Sequence, residues 1–123
     1  MRELTSPREI AESYWRAECA HDIPAILAHY HQNAVFVPPR GDRLVGHERI
    51  RTFYEESFRR FVGLEVEIVH EISRGNEAAL EWRAVFTDAA GKRYPLDGIN
   101  VIRVSAGKFE EVRCYFDPDL LMG

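Results

Sequence analysis

Residues 64–116 read LEVEIVHEISRGNEAALEWRAVFTDAAGKRYPLDGINVIRVSAGKFEEVRCYF. Apolar and polar residues alternate with a period of two through most of this stretch, the pattern of half-buried β-strands. Leu64, Val66, Ile68, His70 and Ile72 share one parity, as do Leu80, Trp82, Ala84 and Phe86. A third run has Tyr94, Leu96, Gly98, Asn100, Ile102 and Val104 in phase, and a fourth has Val112, Cys114 and Phe116. The breaks fall at Gly75-Asn76, Ala90-Gly91 and Ser105-Ala106-Gly107. Turns this short join only antiparallel neighbours, so a four-stranded meander with one apolar face is expected.

The cover for that face lies upstream. Ser6, Pro7 and Glu9 form a capping box with proline at the first helical position. Ile10, Ala11, Tyr14, Trp15, Ala17 and Cys19 then make a helical stripe to about residue 20. Asp22 caps a short second helix, with Ile23, Ile26, Leu27 and Tyr30 on one face. Ala34–Val37 reads as a strand that Pro38-Pro39 ends, and a polar loop over 40–46 leads to a third helix. There Ile50, Phe53, Tyr54, Phe58 and Phe61 recur at helical spacing, and Gly63 closes the helical half. Helices followed by a meander, with one early strand, define an α+β class.

Composition excludes several roles. The formal net charge is −4 and the arginines are scattered, so no footprint for a phosphate backbone exists and nucleic acid is not an expected partner. The charged start, MRELTSPREIAESYW, has no apolar leader core, and no run is long enough for a membrane helix. A cytoplasmic location is expected, with Cys19 and Cys114 as buried, reduced thiols. The outer face of the meander mixes Glu65, Glu67, Glu81, Arg83 and Arg113 with Val69, Val85, Ile99, Val101 and Tyr115. A homodimer through that face is expected.

Four segments carry a resemblance: SYWRAECAHD (13–22), GHERIRTFYEES (46–57), NEAALEW (76–82) and INVIRVSAGKFEEVRCYF (99–116). In their order and spacing the chain resembles the ketosteroid-isomerase branch of the nuclear-transport-factor-2-like superfamily, which includes SnoaL-type polyketide cyclases. The resemblance implies a cystatin-like cone, three N-terminal helices on a curved antiparallel sheet, as one domain over residues 1–123. It also implies enolisation of a carbonyl substrate, in which a carboxylate moves a proton and a tyrosine and a neutral carboxylic acid stabilise the charged oxygen.

Carried over by position, the family's tyrosine falls on Tyr14 and its protonated aspartate on Asn100. An amide NH2 donates a hydrogen bond without any pKa tuning, so Asn100 suits that task. The family's aspartate base falls on Pro38, which has no titratable group. Asp42, in the loop just beyond, and His70, on the apolar parity of the first meander strand, are the candidate replacements. Each also has a bland reading, as a solvated loop residue and a core histidine. The expected pocket is apolar and aromatic: Trp15, Phe36, Tyr54, Phe58, Trp82, Phe86 and Phe116, with Pro38, Ile102, Val112 and Cys114. Burial makes the Cys114 thiol inert rather than nucleophilic. His29 and His31 lack an acid at useful spacing, so neither a metal nor a cofactor is expected. Three readings stay open: an isomerase or cyclase, a module that binds an apolar small molecule without turnover, and a dimerisation domain filled by its own side chains.

Overall fold

The computed structural model describes residues 6–122; residues 1–5, part of the start inspected for a leader, and residue 123 lie outside it. The first helix, α1 (Pro7–Cys19), opens at the expected capping box. Ser6 Oγ accepts from the Glu9 N–H at 3.1 Å, and Glu9 Oε1 accepts from the Ser6 N–H at 3.4 Å. Helix α2 (Ile23–Ala28) is capped by Asp22, whose Oδ1 accepts from the Ala25 N–H at 3.1 Å. Strand β1 (Tyr30–Val37) begins four residues before the expected start at Ala34, so Tyr30 opens a strand instead of closing a helical face. Inside the expected loop a two-residue strand, β2 (Leu44–Val45), pairs back on β1.

Helix α3 (His47–Arg60) stops before Phe61, which belongs to the next strand. The meander follows as β3 (Phe61–Arg74), β4 (Glu77–Asp88), β5 (Arg93–Ser105) and β6 (Lys108–Tyr115). A 3₁₀ turn spans Pro118–Leu121. The sheet has six strands in the order β2-β1-β6-β5-β4-β3. The sheet is mixed where an antiparallel one was expected, because β1 lies parallel to β6. Strand β1 arrives from α2 and not from a hairpin, so no short turn dictates its direction.

The three helices pack on one face of this sheet and close the core between them. Ile10, Ile26, Ile50 and Leu80, one from each helix and one from β4, have no exposed surface. Strand β5 keeps strict alternation: Tyr94, Leu96, Asn100, Ile102 and Val104 are buried.

Strand β3 does not keep its phase. Ile68 pairs with Trp82 and His70 with Glu81, so Val69 is an extra residue with no partner on β4. A bulge of this kind flips every later side chain to the opposite face. His70 is consequently exposed with Glu81, Ile72 is 66% exposed, and Glu71 turns towards α1, where Arg8 Nη1 reaches its carboxylate at 3.3 Å. The placement of His70 and Ile72 on the apolar face is corrected by that single residue. The cysteines also need correction: Cys114 is buried but Cys19 is exposed. At 3.6 residues per turn Cys19 sits about 140° around α1 from Tyr14, off the buried stripe, whereas Glu18 sits only about 40° away.

Candidate ligand pocket

Between α1, α3 and the sheet lies a partly open cavity of about 100 Å³. Tyr14 and Asn100 both line it, and so do Trp15, Phe36, Tyr54, Trp82, Phe86, Cys114 and Phe116. The other expected positions fall elsewhere. Ile102 and Val112 are each 2% exposed and packed in the core. The Phe58 ring stacks on His21, with centroids 4.0 Å apart and planes 8° from parallel. Pro38 follows the last residue of β1, and Asp42 is exposed in the loop after it; neither reaches the cavity wall. His70 is removed from it by the β3 bulge. The wall also contains Glu18, Phe53, Ser57, Leu64, Val66, Ala84 and Leu121, all outside the expected set.

Glu18 is the consequential omission. A glutamate between Ala17 and Cys19 reads as part of a solvated helix face, yet its spacing of four from Tyr14 puts both on one side of α1. The residue is half-buried and lines the cavity. The Tyr14 hydroxyl donates to Glu18 Oε1 at 2.7 Å. Tyr14 Oη is in turn hydrogen-bonded to Tyr54 Oη, and Tyr54 Oη to Tyr30 Oη at 2.9 Å. A phenol has one proton, so with Tyr14 giving its own to Glu18 the chain has one direction: Tyr30 to Tyr54 to Tyr14 to the carboxylate.

Burial holds the Glu18 carboxyl up to about 7, against the lowering effect of the Tyr14 hydrogen bond. The Tyr14, Tyr54 and Tyr30 hydroxyls are each pushed well above the usual phenol range, chiefly by burial, and stay protonated as donors. Burial likewise raises the Cys114 thiol far from its reactive range.

The second polar feature is on the sheet. Asn100, 7% exposed on β5, accepts from the Trp82 indole N–H through Oδ1 at 3.0 Å. Indole nitrogen can only donate, which fixes the amide's orientation and turns its NH2 away from Trp82. That NH2 makes no hydrogen bond with the described residues, in a wall that is mostly aromatic. Trp82 itself lies across Gly98, its partner on β5. A Cβ at Gly98 would meet Trp82 Cζ2 at 2.4 Å and the Tyr115 carbonyl oxygen at 2.8 Å. Only glycine admits the ring there.

Three histidines are held by hydroxyl and backbone carbonyl groups. His29 lies between Ser13 Oγ at 2.8 Å and the Ala25 carbonyl at 2.6 Å, His31 meets the Ser105 carbonyl at 2.7 Å, and His47 the Tyr30 carbonyl at 2.8 Å. Among the described residues no three His, Cys, Asp or Glu side chains are grouped to hold a metal ion, and no helix is long and apolar enough to cross a membrane.

Residues 11–112 match the family model described as a SnoaL-like domain, and the chain belongs to that family. No curated protein matches it. Among solved structures it is similar to an NTF2-like protein of unknown function from Burkholderia pseudomallei, at 16% identity over 97% of this chain and 96% of that one, with a TM-score of 0.84. It is similar to TerC co-crystallised with polyporic acid, at 20% identity over 94% of each chain and a TM-score of 0.82. It also resembles a protein with a ketosteroid isomerase-like fold from Catenulispora acidiphila in complex with trimethylamine. That match has 15% identity over 92% of this chain and 88% of the other, with a TM-score of 0.80. At these identities the likeness concerns the fold.

Proposed function

We propose that the chain, as one SnoaL-like domain, binds a compact apolar ligand through a carbonyl or enol oxygen that accepts from the Asn100 amide. The observation that carries this reading is the Trp82–Asn100 hydrogen bond. It occupies the amide's acceptor and leaves two N–H donors unpaired in an aromatic cavity. Among the described residues the amide nitrogen is not one of the fully buried, unpartnered atoms, so it reaches the cavity space, where a ligand oxygen can accept from it. Two proteins of this fold were crystallised with small molecules, polyporic acid and trimethylamine, which supports a small-molecule-binding role.

The size of the cavity selects the ligand. An apolar cavity of about 150 Å³ takes one benzene ring, and this one is about 100 Å³. A one-ring ketone or phenol, with part of the ring in the open side, is therefore the upper scale, and a four-ring steroid exceeds it. Calorimetric titration with cyclohexenone and with phenol tests the reading. Micromolar-to-millimolar binding is expected, weakened roughly tenfold in Asn100→Leu, the worth of about one hydrogen bond. No binding of either compound, or equal binding by Asn100→Leu, rejects it.

For the assembly we propose a homodimer across the outer sheet face, where Ile99 and Tyr115 are 42% and 54% exposed. Light scattering should give twice the 14.2 kDa of one chain. A mass of one chain at micromolar concentration rejects the dimer without touching the ligand reading.

A further inference from the structure

We propose that Glu18 is the acid–base residue of this pocket and that Tyr14, at the head of the Tyr30–Tyr54–Tyr14 chain, is its positioning residue. The inference rests on the ligand reading above, because it needs a carbonyl held by Asn100.

Three geometric facts carry it. Glu18 is the one carboxylate in the cavity wall among the described residues, and no lysine, arginine or histidine lines that wall with it. Its Oε1 is fixed by the Tyr14 hydroxyl at 2.7 Å. The side chain is thereby held in one orientation, as a general base requires. Asn100 lines the same cavity from the sheet, so donor and carboxylate belong to different walls of one space.

The position to which the resemblance assigns a base is Pro38, which has no titratable group. Asp42 and His70, the two substitutes named from the sequence, are both exposed and outside the wall. The tyrosine chain also changes what Tyr14 can do. With its proton given to Glu18, Tyr14 has none left for a ligand oxygen, and that task falls to Asn100.

The step balances without a co-reactant. For a β,γ-unsaturated ketone, the Glu18 carboxylate takes a proton from the α-carbon. The C–H pair becomes the enolate double bond, and the carbonyl π pair moves to oxygen, where an Asn100 N–H meets the charge. The oxygen pair then re-forms the carbonyl and the enolate double bond shifts to the α,β position. The former β,γ π pair takes the proton back from Glu18 at the γ-carbon. One proton has moved, and nothing is oxidised or reduced.

The titratable groups that interact electrostatically with Glu18 are Tyr14 and Cys19 from α1, Tyr54 from α3, Tyr30 from β1 and Cys114 from β6. All are neutral at neutral pH, so Glu18 titrates without a charged neighbour in that set. Its midpoint of about 7 puts a substantial ionised fraction at physiological pH, where a base works best.

The experiment uses the β,γ-unsaturated isomer of cyclohexenone and follows the absorbance of the conjugated product. Wild type should convert it with a rate that rises with pH through a midpoint near 7 and is flat above. Glu18→Gln should lose about 100-fold or more in turnover while still binding cyclohexenone, and Glu18→Asp should keep an intermediate rate. Tyr14→Phe removes the hydrogen bond that favours the ionised form, so its rising limb should move to higher pH. A merely structural loss would scale the rate and leave the limb in place. Infrared difference spectra of the ligand-free protein should show a carboxyl band disappearing around pH 7 in wild type and absent from Glu18→Gln. Should Glu18→Gln fail to fold, Glu18→Asp and the Tyr14→Phe profile decide. Wild-type binding without turnover, an undiminished rate in Glu18→Gln, or no carboxyl titrating near neutral pH overturns the assignment. No binding at all rejects the ligand reading, and this inference with it.

Discussion

The pocket has two polar ends, and they differ in what they leave over. At the helical end every phenolic proton has a taker: Tyr30, Tyr54 and Tyr14 hand theirs along to Glu18. At the sheet end Trp82 satisfies only the acceptor of Asn100 and leaves its donors free. A buried polar group reveals its use through the capacity its neighbours do not fill. The helical end is built to hold a carboxylate whose charge changes near neutral pH. In the proposed function the sheet end meets an acceptor supplied by the ligand.

Breaking the sheet end should have the largest effect. Gly98→Ala forces a methyl group into the Trp82 ring and the Tyr115 carbonyl. Because the carbonyl cannot rotate away as a side chain can, the cost should be about 3 kcal/mol, at the upper end for overpacking. It should also release Asn100 from Trp82 and abolish ligand binding. Chemical denaturation and titration on the same sample would show both losses.

The helical end is sharpened by pH. Glu18 has its folded midpoint raised to about 7, above that of an exposed glutamate. Between those values the folded state holds more protons than the unfolded one, so the Glu18 contribution falls as pH rises and levels off above 7. Glu18→Gln has no such dependence. Its stability relative to wild type should grow between pH 5 and 8 by up to about 3 kcal/mol, read from denaturation midpoints. A difference that stays constant with pH would show that the carboxyl is not held as described.

Further along the chain the effect is smaller. Tyr30→Phe removes the hydroxyl at the far end of the chain, hydrogen-bonded to Tyr54, and should cost about 1 kcal/mol while leaving ligand binding in place. Least of all, Asp42→Asn and His70→Gln alter exposed side chains that face neither end. Both should stay within about 0.5 kcal/mol of wild type and bind ligand equally.

The comparison also explains what could be read in the sequence. Strand β5 was legible because its alternation is unbroken from Tyr94 to Val104, which put Asn100 on the inward face. Strand β3 was legible only as far as Ile68, since a bulge leaves no mark in a run of alternating residues and Val69 is as good a strand former as its neighbours. That is how His70 came to be placed inside. Strand β1 was read short because Tyr30 also continues the apolar spacing of α2, and local pattern alone does not separate the two. Glu18 was missed for a different reason. Charged residues on helices usually face water, and the decisive fact is a hydroxyl four residues earlier that is itself tied to α3 and β1. Hydrogen-bond networks across elements are tertiary facts, and no periodicity announces them.

In the proposed function the Asn100 amide meets the ligand's oxygen. The direct measurement is the carbonyl stretching frequency of bound cyclohexenone, compared between wild type and Asn100→Leu by isotope-edited infrared difference spectroscopy. A lower frequency is expected in wild type, because a donated hydrogen bond weakens the carbonyl bond. Equal frequencies in the two proteins would contradict it.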